Sequence, residues 1–495
     1  MKKYIILFAA ALLGVSCSNL LDQDPTGNIT PDDLKKVDPD IVVKPLIASA
    51  VSSVHSTGAT VEWKGYKDCN LYLDMLGNDM LLVLGAGGGW YNNAYNMNNY
   101  RGATDNNTAY QWAVYYTYIY AANQALGFID LEQSKNVEKA KYYLAQAYTI
   151  RAFAYYHLIT LYQDAYLHGG KDKSGVPVYT VAGEPAKGRG TAQAVYGQII
   201  TDCTDAIKYF TESGQTPSTK EEVSIYVAYM TLARTALTMG DYEAAASAAG
   251  KVIDGFALMS ETQALDNGFQ KLDSPETIWG YKFSSSTSNR NNSFSSHMSA
   301  YALGYGGSNG GYKMIDERLY NQIPSSDWRK KLYFATDTQI TYDNGTSTTV
   351  GTAPALTNVK FGSATYEQDE VYMRVAEAYF IKAEALASQA TPDYPGAQQV
   401  LYDIVSTRDA AYTKSSATGQ ALLDEIRLQK RIEMWGEGLE FYDNKRINKG
   451  VDRQSSTNHP SKKVVPAGKD FTLRLPQTTE IERNPNISDE DNNPL

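Results

Sequence analysis

One pattern restricts the fold of this chain more than any other: paired amphipathic segments with small residues where the two would cross. Between 223 and 254, Tyr229, Leu232, Ala233 and Ala236 recur at three and four residues, the period of one helix face. Met239-Gly240-Asp241-Tyr242 turns the chain, and Ala245, Ala249 and Val252 resume the period. A second copy runs from 373 to 408. Ala376, Tyr379, Ala383 and Leu386 mark its first helix, Pro392-Asp393-Tyr394-Pro395-Gly396 its turn, and Ala397, Val400, Leu401 and Ile404 its second. A chain built from such pairs stacks helices; it does not lay down a large sheet.

More segments carry the same period. From Glu138 to Tyr166 it falls on Tyr142, Ala145, Tyr148, Ala152, Tyr155, Leu158, Ile159 and Tyr162, and Gly169-Gly170 stops it. Thr191 opens another helix with Val195, Ile199, Cys203, Ile207 and Phe210, after an extended insert at Ser174–Val178. Helices are also expected over Tyr110–Leu126 and, as one long element, over Ala421–Ile447. Alanines at the crossing and a Gly-Asp-Tyr turn resemble the tetratricopeptide repeat, in which each pair buries its apolar face on the next. The expected fold is therefore mainly α: a tetratricopeptide-like helical-repeat scaffold with long irregular loop insertions and a few short strands. Met80–Asn107 and Phe283–Tyr312 are such insertions, rich in Gly, Asn, Ser and Tyr, and Tyr342–Lys360 is Thr- and Gly-rich and reads as a hairpin or loop. Their aromatics argue against disorder.

Length and charge narrow the function. At ~150 residues per domain the chain could hold about three domains, but the repeats read as one body. With 45 basic and 55 acidic residues, net −10, it lacks the basic excess of a nucleic-acid binder. Its five His show no H-x-x-x-H spacing, so no zinc site is visible. No metal or cofactor is expected, although an oxygen-only Ca²⁺ site gathered from separate loops stays open. The unusual number is 38 Tyr, against 13 Phe and 6 Trp.

The N-terminus reads as an address. Lys2 and Lys3 precede an apolar run from Ile5 to Val15, half the length of a membrane-spanning helix. Leu13-Gly14-Val15-Ser16-Cys17 resembles a bacterial lipobox, which implies cleavage before Cys17 and a diacylated Cys17 sulfur. Residues 1–16 are then a signal peptide, 17–40 a tether, and 41–495 a single body with parts at 41–320 and 321–495. Asp22 and Asp24 resemble the export tag of surface lipoproteins in Bacteroidetes. Cys69 and Cys203 could pair after export, but the helical period around Cys203 favours a buried free thiol.

The last third carries a family signature. Tyr372-Met373-Arg374-Val375-Ala376-Glu377-Ala378-Tyr379 with Lys382-Ala383-Glu384-Ala385-Leu386, then Arg431, Glu433, Gly436, Glu437, Gly438, Asp443, Lys445 and Arg446, and finally Leu475-Pro476-Gln477, Glu480-Ile481 and Asn484-Pro485-Asn486, resemble successive motifs of the SusD/RagB family. Gly175-Val176-Pro177, Arg189-Gly190-Thr191, Val195-Tyr196, Ile199 and Asp202 fit its middle. The chain departs from the family pattern at Leu439-Glu440 and at its end, Asn492-Asn493-Pro494-Leu495. The resemblance implies a non-enzymatic, lipid-anchored protein on the outer-membrane surface. It would capture an oligosaccharide and act as the lid of a SusC-like TonB-dependent β-barrel transporter. Peptide capture, a ligand-free scaffold and a surface glycosidase are the rival readings.

Two loops carry the expected binding residues. Trp90, Tyr91, Tyr95 and Tyr100 alternate with Asn92, Asn93, Asn96, Asn98 and Asn99, then Arg101; Asp79 stands just upstream. Aromatic faces stack on sugar rings while amides and guanidinium bond hydroxyls. Tyr301, Tyr305 and Tyr312 form a second group. Capping of the helices beneath is the bland alternative for both groups. Gly85–Trp90 lacks the third glycine of a dinucleotide loop, and Gly306-Gly307-Ser308-Asn309-Gly310 lacks the strand–turn–helix setting of a hydrolase nucleophile. Glu433 and Glu437, one helical turn apart, are expected to pair with Lys430, Arg431 and Arg446, not to act as a glycosidase pair. The aromatics from Tyr110 to Tyr120 exceed one buried stripe, so part of that helix must face another element or a partner.

Overall fold

In the computed structural model, residues 30–55, 62–284, 291 and 293–495 are described. Polar caps set where the helices begin. After α1 (Pro39–His55) and α2 (Tyr66–Asp74), the Asp105 carboxylate accepts the backbone N–H groups of Asn107 and Thr108 and starts α3 (Asn106–Gly127). Asn136 does the same through Lys139 N–H for α4 (Val137–Tyr162), and Thr191 through Ala194 N–H for α5 (Ala192–Ser213). The first repeat pair is α6 (Ile225–Met239) and α7 (Tyr242–Ile253). Gly240 turns between them at φ 80°, and Asp241 caps α7. The second is α8 (Val375–Ser388) and α9 (Tyr394–Val405), the latter capped by Asp393.

These helices stack in order, α1 on α3, α3 on α4, α4 on α5, α5 on α6, α6 on α7, α7 on α8 and α8 on α9. Ala233, Ala236, Ala245, Ala249, Ala376, Ala383 and Ala397 are fully buried at the crossings, as the periodicity requires. Buried ion pairs tie neighbouring layers. Arg151 on α4 clasps Asp202 on α5 at 2.6 Å and donates to Asn123 on α3 at 2.7 Å, and Arg234 on α6 clasps Glu377 on α8 at 2.6 Å. On α3, Trp112, Tyr115 and Tyr118 are buried while Tyr120 is 58% exposed, so its aromatic excess divides between core and surface.

The strands are short and come in pairs. β1 (Met80–Leu82) runs antiparallel to β3 (Lys313–Ile315), β2 (Thr277–Tyr281) to β6 (Glu370–Arg374), and β4 (Thr338–Asp343) to β5 (Thr348–Ala353), the last a hairpin. One expectation needs correction. The long helix over Ala421–Ile447 is two helices, α10 (Gly419–Glu433) and α11 (Glu440–Arg446). Gly436 and Gly438 sit between them at φ 76° and 80°, and a Cβ at Gly436 would lie 2.7 Å from the Phe361 ring. A bulkier residue could neither hold that angle nor fit. Cys69 and Cys203 are both buried free thiols, the state that the helical period around Cys203 favours.

Candidate functional site

The β1–β3 ladder joins two loops that lie far apart in sequence. The first leaves β1 at Val83, whose N–H bonds Tyr312 O at 3.3 Å, and the second enters β3. Gly87 N–H bonds Asn309 O at 2.8 Å. A Cβ on Gly87 would lie 2.8 Å from both Gly311 Cα and Tyr305 O, and its φ of 62° also calls for glycine. The Trp90 and Tyr305 rings then meet edge to face at 5.9 Å. His297 stacks under Tyr305 at 4.9 Å, and the Tyr305 hydroxyl donates to Asn291 Oδ1 at 2.8 Å. Trp90 and Tyr305 are both partly exposed, beside exposed Leu84, Asn93 and Asn309. Tyr301, 38% exposed, packs edge-on against Phe334 at 5.9 Å.

Beneath this surface the hairpin and a buried lysine fix the loops. Tyr312 and Tyr342 share a hydroxyl hydrogen bond of 3.0 Å, and Tyr342 donates to Ala300 O at 2.8 Å. Lys313 Nζ donates to Gly311 O at 2.9 Å, and burial pushes its pKa down to about 7. Burial also raises the Tyr301 hydroxyl.

The expected binding residues therefore divide. Trp90, Tyr301 and Tyr305 reach the surface; Asn96 is half-buried and donates to Asn92 O within its own loop at 2.9 Å. Of the others, Tyr91, Tyr95, Tyr312, Asp79 and Arg101 are buried, which corrects their grouping with the ligand-facing side chains, and Tyr100 is half-buried. Tyr95 is fully buried under Arg453, its hydroxyl 2.6 Å from His459 Nδ1, and burial raises its pKa to about 12. Tyr91 is buried and caps a short helix at φ 62°, with its N–H donating to Glu62. Tyr100 donates to Asp470 O at 2.6 Å. Arg101, 8% exposed, donates to Thr472 O, Asp470 Oδ1 and Pro494 O, so it docks the C-terminal tail. Asp79, 4% exposed, is held by Arg431 and accepts Trp435 Nε1–H on its carbonyl at 2.8 Å. Tyr312 lies in the hairpin interface. An aromatic with a polar tip suits core and surface alike, so spacing alone did not separate them. His297 and Asn291 had no sequence signal.

Glu433 and Glu437 do sit in an ion cluster, but with other partners than expected. Arg329, Arg374 and Arg408 surround Glu433, while Arg374 and Lys360 hold Glu437 at 2.6 Å each. Glu276 and Asp327 complete the balance. Lys430, Arg431 and Arg446 pair instead with Asp443, Asp79 and Glu384. Burial raises the Glu437 carboxyl, but Arg374 and Lys360 outweigh it and hold it at about 2. Ser308 is followed by β3, not by a helix, and His459 faces Asp316 at 3.1 Å. Among the described residues, no group of three or more His, Cys, Asp or Glu is arranged to hold a metal ion, and no helix is long and apolar enough to cross a membrane. Cys17, Asp22 and Asp24 lie outside the described residues.

A family profile described as SusD family matches residues 238–489. The chain belongs to the SusD family. A second profile, described as starch-binding associating with outer membrane, matches residues 35–237. SusD-like protein P2 of Formosa agariphila is 26% identical over 98% of this chain and 99% of its own length. Among solved structures, a SusD-like carbohydrate binding protein from Bacteroides vulgatus superposes with a TM-score of 0.75 at 23% identity, covering 92% of this chain and 98% of that one. Surface glycan-binding protein A from Bacteroides uniformis gives 0.67 at 17%, covering 92% and 99%. The helical stack with paired short strands is thus the SusD fold.

Proposed function

We propose that this protein is a cell-surface glycan-binding lipoprotein of the outer membrane, which captures oligosaccharide and passes it to a SusC-like TonB-dependent barrel as its lid. The observation that carries the binding reading is the junction of two distant loops at Trp90 and Tyr305, whose rings meet at 5.9 Å on the surface beside exposed Asn93 and Asn309. Ring faces cover the C–H side of a pyranose, and amides bond its hydroxyls. Membership of a family with starch-binding and surface glycan-binding relatives supports the ligand class. The lipobox at Cys17 supports the anchor, and diacylation of one sulfur holds the body at the membrane without a spanning helix. The role is binding and delivery, without bond cleavage.

Titration calorimetry against a panel of α- and β-linked oligosaccharides and peptides tests it. Trp90→Ala should weaken the best oligosaccharide by about 1.5–2 kcal/mol, roughly ten- to thirtyfold in Kd, with an unchanged melting temperature. Wild-type affinity in that variant refutes the placement of the site. Binding of peptides alone refutes the ligand class, and absence of the barrel from pull-downs on native membranes refutes the lid.

A further inference from the structure

The open end of the β4–β5 hairpin is Asp343-Asn344-Gly345-Thr346-Ser347-Thr348, and every residue in it is exposed. In an Asn-Gly pair the glycine nitrogen can close on the preceding side-chain amide, because no Cβ obstructs the approach. The chain has three such pairs, at Asn267, Asn309 and Asn344. Two of them are confined. Gly268 is buried, with Gln263 O 2.4 Å from where its Cβ would stand. Asn309 is locked between loops: its N–H bonds Gly304 O at 3.1 Å, its carbonyl accepts Gly87 N–H at 2.8 Å, and Gly310 N–H bonds Gly307 O at 2.7 Å. At Gly345 nothing lies within 4 Å of the Cβ position.

Around Asn344 the turn supplies the groups that such an attack needs. Asp343 Oδ1 accepts the Gly345 N–H at 2.8 Å, so a carboxylate base already sits on the nucleophile. Asn344 Oδ1 accepts four donors: Thr346 N–H at 2.9 Å, Thr346 Oγ1 at 2.7 Å, Ser347 N–H at 2.8 Å and Ser347 Oγ at 3.4 Å. They stabilise the negative charge that this oxygen gains when Cγ is attacked. We propose that Asn344 is a site of self-modification, at which the hairpin turn converts its own side-chain amide to a carboxylate. Gly345 N bonds to Asn344 Cγ while its proton passes to Asp343. That proton moves on to Nδ2, the Cγ–Nδ2 bond breaks, and ammonia leaves. Water then opens the cyclic imide at either carbonyl, giving aspartate or isoaspartate, with no change of oxidation state. The isoaspartyl form carries the backbone through one extra carbon and sets a second charge beside Asp343, which unpairs the Asp343–Thr348 rung of the hairpin. Neither the site nor its chemistry depends on the glycan reading.

The test incubates the full chain at neutral pH in H₂¹⁸O, digests it in ordinary water and maps the label by peptide mass spectrometry, with the same chain in urea as the unfolded reference. Label should enter at residue 344 ahead of Asn267 and Asn309, and at least about tenfold faster in the folded chain than in the unfolded one. Asp343→Asn keeps the acceptor but removes the base, and Thr346→Val removes one donor to Oδ1. Each should slow the reaction about tenfold. Both positions are exposed, so the melting temperature should stay at that of wild type and separates slow chemistry from a damaged fold. A folded rate at or below the unfolded one overturns the proposal, because the hairpin then protects Asn344. A fast folded rate that neither substitution lowers overturns it too, because Asp343 and Thr346 then play no part.

Discussion

Glu433→Gln tests whether the buried ion cluster holds the fold together or only decorates it. Glu433 accepts hydrogen bonds from Arg408 at 3.1 and 3.2 Å, from Arg374 at 3.1 Å and from Arg329 at 3.4 Å, and all four side chains are at most 1% exposed. Glutamine keeps the shape but removes the charge those guanidiniums share. Leaving buried charge uncompensated costs about 3–5 kcal/mol. With ~2.1 cal/mol/K of unfolding entropy per residue and 495 residues, the chain gains about 1 kcal/mol per kelvin. The melting temperature should therefore fall by about 3–5 °C in differential scanning calorimetry. The control is Glu261→Gln, which breaks the Lys331–Glu261 pair, 62% and 43% exposed, and should shift the melt by less than about 1 °C. If both variants melt together, the cluster contributes no more than a surface pair and the reasoning fails.

Two further outcomes follow from buried charge and from the tail. Burial holds Lys445 at about 7 while the unfolded side chain titrates near its ordinary 10.5. The unfolded state binds the extra proton between those values, so stability rises with pH, and melts should shift upward from pH 7 to 9; Lys445→Met should flatten the rise. On the acid side, Glu384 and Glu437 are held at about 2 against an ordinary 4.5. Their contribution, about 3 kcal/mol each, is present above pH 4.5 and lost as the pH falls through about 2, which acid melts would record. Arg101→Ala removes the donors to Thr472 O, Asp470 Oδ1 and Pro494 O. Limited proteolysis should then nick the chain after 470 faster than in wild type, and equal rates would show that Arg101 does not dock the tail.

Helical period and turn residues carried much of the scaffold into plain view, because Ala at a crossing and Gly-Asp at a turn are local requirements. The break between α10 and α11 was hidden, since Gly436 and Gly438 interrupt a run whose flanks keep helical spacing and the cause, Phe361, is remote in sequence. The candidate site is only partly legible: Tyr95 and Tyr305 look alike in sequence and differ only in what lies above them, Arg453 in one case and an open surface in the other. The partners of Glu433 were misassigned for the same reason: local spacing named Lys430 and Arg431, while the strongest contacts came from Arg374, Arg408 and Arg329 on other elements.

The ladder that joins the two loops also sets when the protein can begin to work. β1 must wait for β3 to be synthesised, and Asp79 then waits for Arg431, 352 residues farther along the chain. Contacts of such separation close late, after the local helical pairs have formed. A folding chain thus carries finished helices before the two loops meet. On the proposed function, ligand capture becomes a report on completed folding, and a truncated or half-folded copy would lack the Trp90–Tyr305 junction.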